Sequence, residues 1–335
     1  GHTGIYSVCA SHSLVLQATM CQALQDDAIL LIEATANQVN QFGGYTGMKP
    51  GDFPPYVYGL ADKVGLSRDR IILGGDHLGP LCWTDEPTEQ AMQKALDLIT
   101  AYVEAGFQKI HLDASMACAG EPEPLNDDIV AQRAVAMCEV AEQSAAKTGT
   151  LPPVYVIGTE VPVPGGATEG LTDLEITQAE HAVRTLNTHE SAFVKAGLDD
   201  AWQRVIALVV QPGVEFNHTD VHAYEPEKAR SLSRAITEFP RLVYEAHSTD
   251  YQSGSALSEL VRDHFAILKV GPQLTFALRE VLFALAAIEE QLLAQKDQSD
   301  LPQVCERVML SEPGYWNTHY PDTELEGRMY RRFSY

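Results

Sequence analysis

The chain has 335 residues, 45% of them hydrophobic and 21% charged, which suits a globular protein with a sizeable core. Its 46 acidic residues against 23 basic ones give a formal net charge of −23, which excludes nucleic-acid phosphates and anionic membrane surfaces as partners. The six cysteines form no C-x-x-C pair and read as reduced thiols of a cytoplasmic protein, and no run approaches the roughly 20 apolar residues of a membrane span.

Taken in chain order, short runs rich in Val, Ile and Leu alternate with longer amphipathic stretches. The predicted strands cover residues 5–9, 29–33, 70–74, 109–112, 154–159, 205–210, 241–245 and 267–270. They are mostly apolar instead of strictly alternating, as strands buried on both faces should be. The clearest helix carries Met92, Ala95, Leu96, Ile99, Tyr102 and Val103 on one stripe, opened by Pro87 and closed by Gly106. A second places Leu257, Leu260 and Val261 ahead of the last strand. Strands alternating with helices over residues 1–295 predict an α/β fold, a TIM (β/α)8 barrel. The rival, a doubly wound sheet that binds a dinucleotide, needs a G-x-G-x-x-G turn after its first strand, and this sequence has none there. Residues 296–335 form a Pro- and aromatic-rich C-terminal extension, expected to pack on the barrel or on a partner.

Polar groups collect at the predicted strand ends, where the active sites of such barrels lie. The third run, I-I-L-G-G-D-H-L-G-P, is read as a strand that stops at two glycines and then presents Asp76 and His77 from a turn. His111 and Asp113 follow the fourth run, Glu160 the fifth, His218 the sixth and His247 the seventh. A neutral imidazole suits a divalent metal, zinc or manganese; His77, His218 and His247 on separate strand ends would hold one and leave a coordination position open. Asp76 and Glu160 are then the proton carriers, and Asp113, Ser248 and Asp250 lie on the substrate side. Plainer roles compete: a single strand-end His is ordinarily a hydrogen-bonded structural residue, Asp113 can cap a turn, and Glu160 can anchor the loop after it. An anionic substrate needs a local island of positive charge, which Arg328, Arg331 and Arg332 can supply. Residues 41–47, Q-F-G-G-Y-T-G, either let a backbone approach a ligand or form tight turns. They lack the Gly-Lys-Ser/Thr ending of a phosphate loop and so support no nucleotide and no kinase.

The phrases IEATANQVNQFGGYTGM, IILGGDHLGP, KIHLDAS, TEVPVPGG, VVQPGVEF, YEAHSTDYQ and FAILKVGPQLTFALRE resemble the GatZ/KbaZ family, the partner subunits of class II D-tagatose-1,6-bisphosphate aldolase. The resemblance implies a class II aldolase-like barrel. It also implies an accessory role: a subunit needed for full activity and stability of the catalytic aldolase subunit in galactitol, tagatose and N-acetylgalactosamine catabolism. An oligomeric assembly and a sugar phosphate ligand go with that role. Against the aldolases' own motifs, Asp76 matches the proton carrier, His77 and His247 match zinc ligands, and His218 corresponds loosely to a third. Leu112-Asp113-Ala114-Ser115 matches their Ile-Asp-x-Ser. Two departures stand out. The aldolases' phosphate-cradling Gly-Gly-Ser-Gly is replaced by Ser248-Thr249-Asp250-Tyr251, and their Asn-x-Asp by Gly271-Pro272-Gln273. The metal end is kept and the phosphate end rewritten, so the alternative activity is metal-dependent epimerisation at carbon 4 of a ketohexose or its phosphate, by retro-aldol cleavage and re-addition.

Overall fold

The computed structural model describes residues 3–162, 174–317, 319–320 and 324–334. Eight parallel strands close into a barrel: β1 (Ile5–Val8), β2 (Leu30–Thr35), β3 (Ile71–Leu78), β4 (Lys109–Leu112), β5 (Val154–Ile157), β6 (Val205–Val210), β7 (Val243–Ala246) and β8 (Phe265–Val270). β1 pairs with both β2 and β8, which completes the ring. Buried on both faces, these strands are mostly apolar; every residue of β2 is buried. A two-stranded hairpin, Glu215–Phe216 with Val221–His222, stands over the end of β6.

Helices α1 (Ser13–Gln25), α2 (Phe53–Val64), α3 (Thr88–Glu104), α4 (Asp127–Thr148), α5 (Ala179–Lys195), α6 (Pro226–Ala235), α7 (Gly254–Arg262) and α8 (Pro272–Leu292) follow the strands in turn. Asn126 accepts from the Asp128 N–H to cap α4, and Ser253 accepts from the Ala256 N–H to cap α7. The α3 stripe is rotated slightly from the predicted one. Ala91, Ala95, Leu98, Ile99, Tyr102 and Val103 are buried, while Met92 and Leu96 sit at the edge of the core. Among the described residues, no helix is long and apolar enough to cross a membrane.

β3 differs from expectation in a way that matters. The strand does not stop at Gly74 and Gly75 but runs on through Asp76 and His77 to Leu78. The glycines are there for space, not for a turn. A Cβ on Gly74 would lie 2.2 Å from Glu33 Oε1, and one on Gly75 would lie 2.7 Å from the Tyr102 ring. Beyond Gly75 the register slips, so that three residues of β3 advance against two on β4. His77 absorbs this bulge with φ of 48°. Without it, adjacent side chains would point to opposite faces of the sheet; with it, both Asp76 and His77 are buried.

After α8 come α9 (Leu301–Ser311) and α10 (Glu324–Arg332). Arg331 on α10 binds Glu306 on α9 at 2.6 Å, and the Arg332 guanidinium lies 5.5 Å over the Phe283 ring of α8. Arg331 therefore ties the extension together, and Arg332 packs it against α8.

Candidate functional site

The barrel floor is unusually charged for its depth. Glu33, Lys109, Glu245 and Lys269 point inward from β2, β4, β7 and β8, and none is more than 4% exposed. Lys109 Nζ lies 2.6 Å from Glu33 Oε1 and 2.8 Å from Glu245 Oε2. Lys269 Nζ contacts Glu33 Oε2 and lies 3.5 Å from Glu245 Oε1, closing a ring of alternating charge. Burial disfavours the charged Glu245 carboxylate, but Lys109 and then His247 outweigh it and hold its pKa at about 2.

Above this ring, Asp76 Oδ1 takes a 2.9 Å hydrogen bond from His111 Nδ1 and lies 3.0 Å from Lys269 Nζ. His77 Nδ1 is 2.9 Å from Asp113 Oδ2, and Asp113 Oδ1 accepts from the Ser115 hydroxyl at 2.8 Å. His247 Nε2 lies 3.1 Å from Glu245 Oε1. The three imidazole rings of His77, His111 and His247 sit 4.9–5.4 Å apart. Burial opposes charge on Asp76, His77, Asp113 and His247. At His77 the neighbouring Asp76 and Asp113 overcome that penalty and raise the imidazole, and in return His77 brings Asp113 down to about 2. At His247 burial prevails and lowers its pKa.

Asp76, His111, Glu245 and His247 each offer a ligand atom, all within 4.8 Å of one another. Their chemistry fits a divalent metal. His111 Nε2 is buried with no hydrogen-bond partner among the described residues, an orphaned polar atom that a metal ion would satisfy. Charge balance points the same way. Glu33, Asp76, Asp113 and Glu245 face only Lys109 and Lys269, which leaves two negative charges in a dry interior unless a dication or protonated imidazoles answer them. Two imidazoles and two carboxylates suit zinc or manganese.

Of the residues expected from sequence, Asp76, His77, Asp113 and His247 come together here. His218 does not join them. It stacks edge-on against Tyr320 and Tyr330 of the extension, at 5.0 and 5.3 Å. Glu160 binds the Thr177 hydroxyl at 2.5 Å and the His181 ring, beside Asp127 at the start of α4. Residues 163–173, which carry the Pro-Gly-Gly of TEVPVPGG, lie outside the described residues. Ser248 and Tyr251 hold left-handed backbone at φ of 55° and 62°, and Thr249 between them donates its hydroxyl to Lys269 O at 2.5 Å.

Asp250 has a specific job. Its Oδ1 accepts from the backbone N–H groups of Gly271 and Gln273 at 3.0 and 2.8 Å, so it fills the N-terminus of α8, the position that receives phosphate in many such barrels. Burial raises its pKa to about 6 from an ordinary 3.8, although the two N–H groups pull the other way. A carboxyl whose folded pKa is raised contributes stability that is present below the unfolded value and lost as pH rises through the folded one. Asp250→Asn should therefore match the wild type near pH 4 and gain on it up to about pH 6. Above that it should stay more stable by about 3 kcal/mol, read from urea unfolding across that range. A variant less stable than wild type at pH 8 would refute this account of the carboxylate.

The family model for D-tagatose-1,6-bisphosphate aldolase subunit GatZ/KbaZ-like proteins matches residues 1–335. A Klebsiella pneumoniae protein named D-tagatose-1,6-bisphosphate aldolase subunit GatZ is 56% identical over 333 residues, covering 99% of this chain and 78% of that protein. Its Salmonella typhimurium counterpart is 54% identical over the same spans. A crystal structure from Sinorhizobium meliloti, described as a "probable tagatose 6 phosphate kinase", superposes with a TM-score of 0.89 at 47% identity, covering 99% of this chain and 81% of that one. The fructose-bisphosphate aldolase of Campylobacter jejuni shares the fold, with a TM-score of 0.51 at 13% identity over 89% of this chain and 80% of its own.

Proposed function

Because the chain belongs to the GatZ/KbaZ-like family of D-tagatose-1,6-bisphosphate aldolase subunits, we propose that it is the accessory subunit of a class II D-tagatose-1,6-bisphosphate aldolase, required for full activity and stability of the catalytic subunit. The observation that carries this reading is the 56% identity, over nearly the whole chain, to a protein of that name. The Asp250 carboxylate at the α8 N-terminus supports it, since a fixed negative charge there disfavours a substrate phosphate. The setting is the cytoplasm, in keeping with six cysteines that are all free.

A second reading rests on the buried Asp76, His111, Glu245 and His247 group and the unpartnered His111 Nε2. A subunit that only braced a partner would have no use for four convergent ligand atoms. A bound divalent ion there would supply Lewis-acid polarisation of a substrate carbonyl. Around it, His77 and Asp113 would hold and move a proton, and the enclosed walls would exclude water. The reaction would be carbon-4 epimerisation of a ketohexose or its phosphate. The two readings are compatible.

One experiment addresses both. The purified chain, a class II catalytic subunit and their mixture are assayed for cleavage of D-tagatose 1,6-bisphosphate, and the chain alone is incubated with ketohexose 6-phosphates and followed by carbon NMR. The mixture should exceed the catalytic subunit alone in rate and in half-life at elevated temperature. Equal rates and half-lives would sink the accessory role, and no epimer with metal supplied would sink the second reading.

A further inference from the structure

Beneath the metal-capable group lies a second set of cation ligands. Cys9, Glu33 and Asp76 also place ligand atoms within 4.8 Å of one another, and Asp76 belongs to both sets. This second position is already taken. Lys269 Nζ contacts Glu33 Oε2, lies 3.0 Å from Asp76 Oδ1 and has the Cys9 thiol beside it. We propose that the centre contains two adjacent cation positions bridged by Asp76, and that the Lys269 ammonium permanently fills one, so that the chain binds a single divalent metal ion.

The contacts have the character of ion packing. Lys269 Nζ touches Glu33 Oε2 and lies 3.0 Å from Asp76 Oδ1 and 3.5 Å from Glu245 Oε1, so the ammonium sits among three buried carboxylates as a point charge, as a metal ion would. The Cys9 thiol donates to Asp76 Oδ2 at 3.7 Å, which places it at the same position. A dication in the first position, with Lys109 and Lys269 in place, neutralises the four buried carboxylates. With Lys269 removed, a second dication would restore neutrality if Cys9 bound as thiolate and released its proton to solvent. The inference rests on the metal reading of the upper group.

The test is titration with cobalt(II) of the wild type, Lys269→Ala and Lys269→Ala/Cys9→Ser, with stoichiometry from elemental analysis and ligation from absorbance. The wild type should take one ion per chain and show no near-ultraviolet thiolate-to-cobalt band. Lys269→Ala should take two and show the band, and the double variant should lose it. One ion in Lys269→Ala, or two with the band in the wild type, overturns the proposal. A wild type that binds no cobalt overturns the underlying metal reading instead. Should Lys269→Ala fail to fold, Lys269→Gln removes the charge while keeping a polar side chain, and the wild-type measurement remains decisive by itself.

Discussion

Lys109→Met destabilises the protein by roughly 3–5 kcal/mol, because removing one partner of a buried ion pair strands the charge it answered. Methionine is unbranched and only one atom shorter than lysine, so the loss is mainly electrostatic and not a cavity. Lys109 bonds Glu33 at 2.6 Å and Glu245 at 2.8 Å, and its side chain is 2% exposed, so solvent screening cannot rescue the stranded carboxylates. Adding Glu33→Gln to the variant should recover part of the loss, since the pair then disappears together; the coupling is read from a double-mutant cycle in urea. A single-variant loss of about 1 kcal/mol or less, the size of an exposed pair, would mean that water reaches the barrel floor.

Gly79→Ala is the second large effect, and its cause is steric. A Cβ at this position would lie 1.7 Å from the backbone carbonyl oxygen of Asp113. The backbone at Gly79 is extended, with φ of 177°, so alanine meets no torsional objection there. The obstacle is main chain, which has no rotamer to yield, so the loops after β3 and β4 must separate. The expected loss is about 3 kcal/mol or more. The 2.9 Å bond between His77 and Asp113 should break with it, weakening metal uptake about 10-fold if about 1.4 kcal/mol of that loss falls on the site. Gly59→Ala on α2 is the matched control: open space surrounds its Cβ, and a helical Gly→Ala change should stabilise by up to about 1 kcal/mol. Equal stability of Gly79→Ala and wild type would show that the two loops are free to part.

Much of the fold is legible in the sequence. The eight predicted strands all form, most ends within two or three residues of those observed, because a doubly buried strand is mostly apolar along its length and that is a local property. β3 is the exception. Its glycines read locally as a turn, and only the Tyr102 ring and the Glu33 carboxylate packed against them show why no side chain fits.

The site was legible in part. Asp76, His77, Asp113 and His247 announce themselves by following apolar runs, whereas His111 lies inside β4, and its pairing with Asp76 and its buried, unpartnered Nε2 make it a strong ligand candidate. Glu33, Lys109, Glu245 and Lys269 were overlooked although a signal was present. Each is a charge inside an otherwise apolar strand, L-L-I-E-A-T, K-I-H-L, V-Y-E-A and F-A-I-L-K-V, and two acids with two bases in such places must meet or leave charges buried alone.

What the sequence determined by itself was the succession of strands and helices and the kinds of chemical group at the strand ends. These depend on periodicity over a few residues. Which groups meet was decided only by closing the barrel. The extra residue in β3 turned His77 inward beside Asp76, and the approach of the extension drew His218 to Tyr320 and Tyr330. The meeting of the β7–α7 loop with α8 made Asp250 a helix cap. A contact between residues far apart in the chain depends on register and closure, and no local pattern encodes either one.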